Sequence, residues 1–261
     1  MNPLVISLIG VGKMGSALLK GWIRGGMKKE EIIIYDKMTT VLEQFAQQAE
    51  IAPNCIKAVE KGNVIVIAVK PKDLTPLLEE IGEHLKDKIS ISIVAGIGLE
   101  ELRKKAPSKW VRAMPNIACE IGEGFIAICG DGEGLAIAEK IFGLTGKVVK
   151  VEESLMDAIT ALGGSGPGFV SLFLDALADG GVKIGLPKEL ALQIAAQVFK
   201  GTAGLIMNSQ RHPMELKDSV CSPGGTTIAG ISRMEKAGVR GILIDGIEEA
   251  FRRAKELQKG G

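Results

Sequence analysis

Histidine is nearly missing from this chain. Only His84 and His212 occur, which excludes a His-rich metal site and a proton relay built from several imidazoles. Aromatic residues make up 4% of the 261 positions, too few for the stacking platforms that hold single-stranded nucleic acid. An excess of either charge is lacking too. The 32 Lys and Arg nearly cancel the 31 Asp and Glu, leaving a net +1, so no bulk field draws nucleic acid or a membrane surface. The four cysteines, Cys55, Cys119, Cys129 and Cys221, form no CxxC and no paired spacing. They read as free thiols in a reducing cytoplasm rather than as a disulfide framework. The N-terminus has neither the basic flank nor the cleavage site of a secretory signal. No apolar stretch is expected to reach the length that spans a bilayer.

What is present is a globular composition, 46% hydrophobic and 24% charged, long enough for two cores. The first half alternates. Apolar runs at 4–9, 32–35, 64–69, 89–94 and 110–114 read as strands, and the nearly continuous run 64–69 suits a strand buried on both faces of a parallel sheet. Helical stretches are expected between them, over about 14–25, 40–49, 74–85 and 99–105. This rhythm predicts an α/β fold with an N-terminal Rossmann-type doubly wound sheet. After 146–151 no further strand-like run is expected, and segments near 154–162, 168–185, 187–208, 213–219 and 239–258 read as helices. The boundary is set near residue 150, giving a dinucleotide-binding domain at 1–150 and an all-helical domain at 151–261. Small residues crowd 158–185, which fits either a dimer interface or tight packing within one chain.

Two glycine-rich loops carry the chemistry. Gly10-Val11-Gly12-Lys13-Met14-Gly15 follows the strand ending at Ile9 and opens a helix, the context that gives a GxGxxG weight. Gly10 permits the turn, Gly12 lets backbone approach a pyrophosphate, and Gly15 lets helix pack on strand. Asp36 ends the second strand, where a carboxylate accepts bonds from the adenosine ribose and favours NADH. Lys37, Thr39 and Thr40 follow and suit a 2′-phosphate, so NADPH and NADH both remain open. Ala68-Val69-Lys70-Pro71, Ala95-Gly96 and Met114-Pro115-Asn116 lie at carboxyl ends of strands, the rim where open α/β sheets bind ligands. The second loop, Cys221-Ser222-Pro223-Gly224-Gly225-Thr226-Thr227, is a nest of backbone and hydroxyl donors suited to a carboxylate or phosphate. Thr226 and Thr227 equally suit helix capping, because a helix-like stretch begins at Ile228. Two anion-binding loops point to two ligands brought together between two domains. His212, beside Pro213, reads as a helix-start residue.

These motifs, with Gly164-Ser165-Gly166-Pro167, Asp175-Ala176-Leu177-Ala178-Asp179-Gly180-Gly181-Val182 and Leu216-Lys217-Asp218, occur in an order that resembles pyrroline-5-carboxylate reductase over almost the whole chain. The resemblance implies NADPH- or NADH-dependent reduction of 1-pyrroline-5-carboxylate to L-proline in the cytoplasm. It also implies a C-terminal domain that forms a homodimer, often within a larger ring. It implies that Ser222, Gly224, Gly225 and Thr226, with Ser165, hold the substrate carboxylate. Thr227 is then the catalytic residue, beside the ring nitrogen, and Glu153 approaches the substrate from the helical domain. Cofactor contacts fall to Ile9, Gly10, Val11, Gly12, Lys13, Met14, Asp36, Lys37, Asn54, Ala68, Val69, Lys70, Pro71, Ala95, Gly96, Asn116 and Ser219. Three places depart from the family pattern: Gly168, Ile117-Ala118, and Asn54, whose slot Cys55 can take. Two other readings stand beside this one: a β-hydroxyacid dehydrogenase using Lys183 or Lys200, and a non-catalytic dinucleotide sensor.

Overall fold

A computed structural model describes residues 4–130, 132–209 and 211–259. Eight strands form one sheet: β1 (Ile6–Ile9), β2 (Ile32–Tyr35), β3 (Glu50–Ile51), β4 (Val64–Ile67), β5 (Ile89–Ser92), β6 (Lys109–Met114), β7 (Gly124–Gly130) and β8 (Gly146–Lys150). Their order is β3-β2-β1-β4-β5-β6-β7-β8. The first six run parallel, and β7 pairs antiparallel with β6 while β8 follows β7 in parallel. This is the expected doubly wound α/β sheet, extended by β3 and β7, which the sequence reading did not name.

Period-2 alternation explains why both faces are covered. Ile6, Leu8, Ile32, Ile34, Val64 and Val66 pack on one side with α1 (Lys13–Arg24), where Trp22 meets Phe142. Ile9, Ile33, Ile65 and Ile67 face the other. That second side receives Val59 of α3 (Cys55–Lys61), Leu74 and Leu78 of α4 (Pro71–Ile81) and Leu102 of α5 (Leu99–Lys105). Each such buried side chain contributes about 1.5–3 kcal/mol. Between β2 and β3 the expected helix at 40–49 shortens to α2 (Thr39–Glu43). The chain then tightens into i→i+3 turns, with the Phe45 and Ala46 amides donating to the Leu42 and Glu43 carbonyls. The helix α6 (Gly132–Gly143) joins β7 to β8.

Beyond β8 come α7 (Met156–Ile159), a single π-helical turn (Thr160–Gly164), α8 (Gly166–Lys183), α9 (Lys188–Ser209), α10 (Pro213–Ser219), α11 (Thr226–Lys236) and α12 (Val239–Lys259). The strands end at Lys150, near the expected boundary. By compactness the chain divides into residues 1–167 with 250–261, and residues 168–249. Within the second unit, a Cβ at Gly181 would come within 2.9 Å of Ala191 Cβ, so glycine there lets α8 and α9 approach. Lys188 bridges Asp175 and Asp179 at 2.7 and 2.6 Å. The expectation that no apolar stretch reaches bilayer length is corrected. The helical run Glu153–Lys183 and the helix Lys188–Ser209 are both long and apolar enough, by length and composition, to cross a membrane. Core and interface helices pass the same test, because an apolar face suits any dry neighbour.

Candidate active site

The register of the three central strands builds the first loop site. Ile9 lies between Tyr35 and Ile67, so Gly10, Asp36 and Ala68 emerge side by side at the carboxyl ends. Gly10 has φ +97°, and a Cβ there would come within 2.8 Å of the Ala68 carbonyl. A Cβ at Gly15 would overlap the Gly10 oxygen. Around Gly12 no atom lies within 4 Å of a Cβ position. Gly12 is the N-cap of α1, which has no side-chain cap and no acidic residue in its first turn. Its first amides and its dipole are therefore open to an anion.

These residues edge a cleft of about 880 Å³ whose lining includes four lysines, Lys13, Lys37, Lys70 and Lys72, against two aspartates, Asp36 and Asp73. The open Gly12 backbone, the uncapped helix start and the cationic rim fit a dinucleotide. Of the expected cofactor residues other than Ser219, Ile9, Gly10, Gly12, Lys13, Met14, Asp36, Lys37, Ala68, Val69 and Lys70 line this cleft, and Val11, Asn54, Pro71, Ala95, Gly96 and Asn116 do not. Tyr35, Met38, Lys72, Asp73 and Leu77 line it without having been anticipated. The expected helix at 74–85 starts at Pro71 instead, which brings Lys72 and Asp73 to the rim.

Asp36 is engaged by the backbone on both sides of it. Its Oδ2 accepts from the Val11 amide at 2.7 Å and its Oδ1 from the Met38 amide at 2.8 Å. It ties the glycine loop to the turn after β2. Asn54 is the N-cap of α3, accepting from the Lys57 amide at 2.8 Å. Beside it the Cys55 thiol donates to Glu80 Oε1 at 2.8 Å. Burial and that bond push the thiol up to about 11. The Tyr35 phenol is raised by burial, then by the fields of Cys55, Glu80 and Asp36.

Further along the rim, Asn116 makes two contacts. Its Oδ1 accepts from the Ala118 amide at 3.2 Å and its Nδ2 donates to the Gly163 carbonyl at 3.1 Å. This fastens the π turn to the end of β6. Ser165 closes that turn, its amide donating to the Thr160 carbonyl at 3.0 Å. Glu153 falls within the compact unit that holds the sheet. Its Oε1 accepts from Arg112 Nη1 at 2.8 Å and from the Leu99 amide at 2.7 Å. Arg112 was visible in the sequence as a lone cation inside an apolar strand, but nothing there assigned it a role.

The second loop opens α11. Gly225 is its N-cap with no side-chain cap, and Gly224 adopts φ +68°. A Cβ at Gly225 would overlap Ser222 Oγ, so the glycine lets the serine fold across the helix start. Thr226 and Thr227 are the first two helical residues, not caps. Their hydroxyls and the first amides of α11 are thus uncommitted to capping. Ser219, the last residue of α10, donates its hydroxyl to the Leu216 carbonyl at 2.7 Å. His212 caps α10 through Nδ1, which accepts from the Met214 amide at 3.2 Å, as its sequence position predicts. Among the described residues no cluster of three His, Cys, Asp or Glu is arranged to hold a metal ion.

Comparison with known proteins assigns both halves. Residues 153–257 match the pyrroline-5-carboxylate reductase dimerisation family, and residues 5–96 match the family described as NADP oxidoreductase, coenzyme F420-dependent. The chain is 39% identical to the pyrroline-5-carboxylate reductase of Synechocystis sp., covering 97% of this chain and 98% of that one. It is 35% identical to human pyrroline-5-carboxylate reductase 2, covering 97% and 83%. The Plasmodium falciparum pyrroline carboxylate reductase, solved with NADP bound, superposes with a TM-score of 0.90 at 30% identity over 99% of both chains. On its glycine-loop cleft, its uncapped SPGGTT helix start and full-length identity of this order, the chain belongs to the pyrroline-5-carboxylate reductase family.

Proposed function

We propose that this chain reduces 1-pyrroline-5-carboxylate to L-proline with NADPH or NADH, using residues 1–150 for the dinucleotide and 151–261 for substrate and dimerisation. The observation that carries this reading is the α11 start, where a glycine N-cap leaves amides and two threonine hydroxyls free in a chain that also has a dinucleotide cleft. Backbone of Gly12 and the first turn of α1 hold the pyrophosphate, and Asp36 and Lys37 meet the adenosine ribose. When bound, the reduced nicotinamide supplies the hydride that adds to C5 of the substrate C=N bond.

The chain's own residues do the rest. Amides of Gly224, Thr226 and Thr227, with the Ser222 hydroxyl, bind the substrate carboxylate and orient the ring, while the Gly225 amide donates to the Ser222 carbonyl at 3.0 Å and shapes the loop. Thr227 donates a hydrogen bond at the ring nitrogen, where the proton must finish. A threonine hydroxyl is too weak an acid to protonate freely, so its part is orientation and relay. This accounts for an active site without histidine. The four cysteines are free, which supports a reducing, cytoplasmic setting. The dimerisation match supports a homodimer, which we extend to a ring of dimers.

Mixing the chain with pyrroline-5-carboxylate and reduced cofactor should consume the nicotinamide absorbance and yield proline. Cofactor binding with no consumption by this substrate would remove the reading. Thr227→Ala should lower kcat about a hundredfold while melting as the wild type does, the cost of deleting one well-placed donor. Unchanged kinetics in that folded variant would end its catalytic role.

A further inference from the structure

We propose that Asp36 is a positioning residue for the cofactor: its carboxylate holds the glycine loop in the shape that receives the pyrophosphate, and the choice between NADPH and NADH does not rest on its charge. The proposal rests on the reading of the glycine-loop cleft as the dinucleotide site. Every residue it uses lies within the compact unit that holds the sheet.

An acidic residue at this strand end serves other dinucleotide sheets as a ligand of the adenosine ribose, and it repels a 2′-phosphate. Here the carboxylate is engaged by its own backbone. The Val11 amide donates to Oδ2 at 2.7 Å and the Met38 amide to Oδ1 at 2.8 Å, so one donor faces each oxygen. Val11 is 1% exposed, and a buried amide without an acceptor is costly. Glycines flank it at 10 and 12, and glycine leaves a loop many shapes. Three bonds narrow them. The Gly10 amide donates to the Tyr35 carbonyl at 2.8 Å, the Val11 amide to Asp36, and Ser16 Oγ to the Val11 carbonyl at 2.8 Å. Two of the three come from the end of β2. Removing the carboxylate therefore frees the loop just before Gly12, where the pyrophosphate approaches.

The surrounding charge argues the same way. Lys13, Lys37, Lys70 and Lys72 line the cleft, and among the described residues none of the four makes an ion pair. Lys20, Lys57, Lys61 and Lys104 of the same unit are each paired with a glutamate. Asp36 spends its charge on two amides, and the unpaired cations remain for phosphate groups. An engaged carboxylate among them is a weak bar to one phosphate more.

The test is cofactor binding by variants of the full-length protein. Asparagine offers one acceptor where two donors wait, and it turns an NH2 against the other. In Asp36→Asn, the affinities for NADH and NADPH, each read by fluorescence titration, should both fall about tenfold. A carboxylate that discriminates by repulsion predicts the opposite sign for NADPH. At saturating NADPH, kcat should stay near the wild-type value while KM for NADPH rises, the mark of lost uniform binding. Asp36→Glu keeps the charge but carries the oxygens one methylene further out, so it too should weaken both cofactors, and it is the variant read if Asp36→Asn does not fold. Tighter NADPH binding, a loss confined to NADH, or unchanged affinity for both would each overturn the proposal. The wild type is titrated first, since failure to bind either cofactor there removes the reading of the cleft itself and not the role of Asp36.

Discussion

Three glycines in one loop make opposite demands, and substitution separates them. A methyl at Gly12 meets no atom within 4 Å, so Gly12→Ala should fold and melt as the wild type does. The same methyl occupies the space a pyrophosphate needs, so NADPH affinity in a titration should fall about tenfold or more. Gly15→Ala puts its methyl against the Gly10 oxygen and should cost about 1–3 kcal/mol in denaturant unfolding, as overpacking does. If Gly12→Ala binds NADPH normally, the pyrophosphate does not lie over that backbone. Asp36 belongs to the same scale. Its position at the strand end was legible, and the spacing rule gave it a ribose. What spacing cannot show is that Val11 and Met38 amides reach the carboxylate first, because that depends on how two loops curl at neighbouring strand ends.

At the level of elements, the strands and most helices could be read because both faces of the sheet are buried and the apolar runs are nearly continuous. The strand β7 was overlooked although Phe125 to Cys129 is an apolar run between glycines. Its direction follows from length: residues 115–123 are fewer than the dozen or so that a parallel crossover needs, so the chain can only return antiparallel. The α11 start was legible as a loop of donors but not as an uncapped helix. Sequence allows Thr226 or Thr227 to cap, and only the backbone assigns that place to Gly225. Asn116 was picked for its rim position, and the structure gives it a joint to hold. Asn116→Ala loses the bonds to the Gly163 carbonyl and the Ala118 amide. At about 1 kcal/mol each, stability in urea should drop by about 2 kcal/mol. With the π turn that ends at Ser165 loosened, KM for pyrroline-5-carboxylate should rise as well. A variant with full stability would show that the joint is held elsewhere.

For the molecule as a whole, the helical unit 168–249 cannot be understood from one copy. Its buried apolar residues are Ala178, Ala191 and Ala195, while Leu172, Ile184, Val198 and Leu205 stand more than half exposed. Three alanines remove far too little apolar surface from water to offset the ordering of helices of this length. Helices this apolar would suit a bilayer by composition alone, yet the stretch falls inside a match to a dimerisation family. A second copy of the chain is therefore the occupant to test. Ile194 and Val198 lie one turn apart on α9 and are 45% and 55% exposed. Replacing both with Glu puts two carboxylates on the apolar face without disturbing any side chain buried within a single copy. In sedimentation velocity the wild type should run as a dimer or a multiple of it, and the double variant should shift toward monomer at micromolar concentration. The melting temperature of the wild type should rise with protein concentration, since a partner that binds only the folded state stabilises it by mass action. A wild type that sediments as a monomer at every concentration, with a melting temperature independent of dilution, would mean that these helices find their apolar neighbour elsewhere.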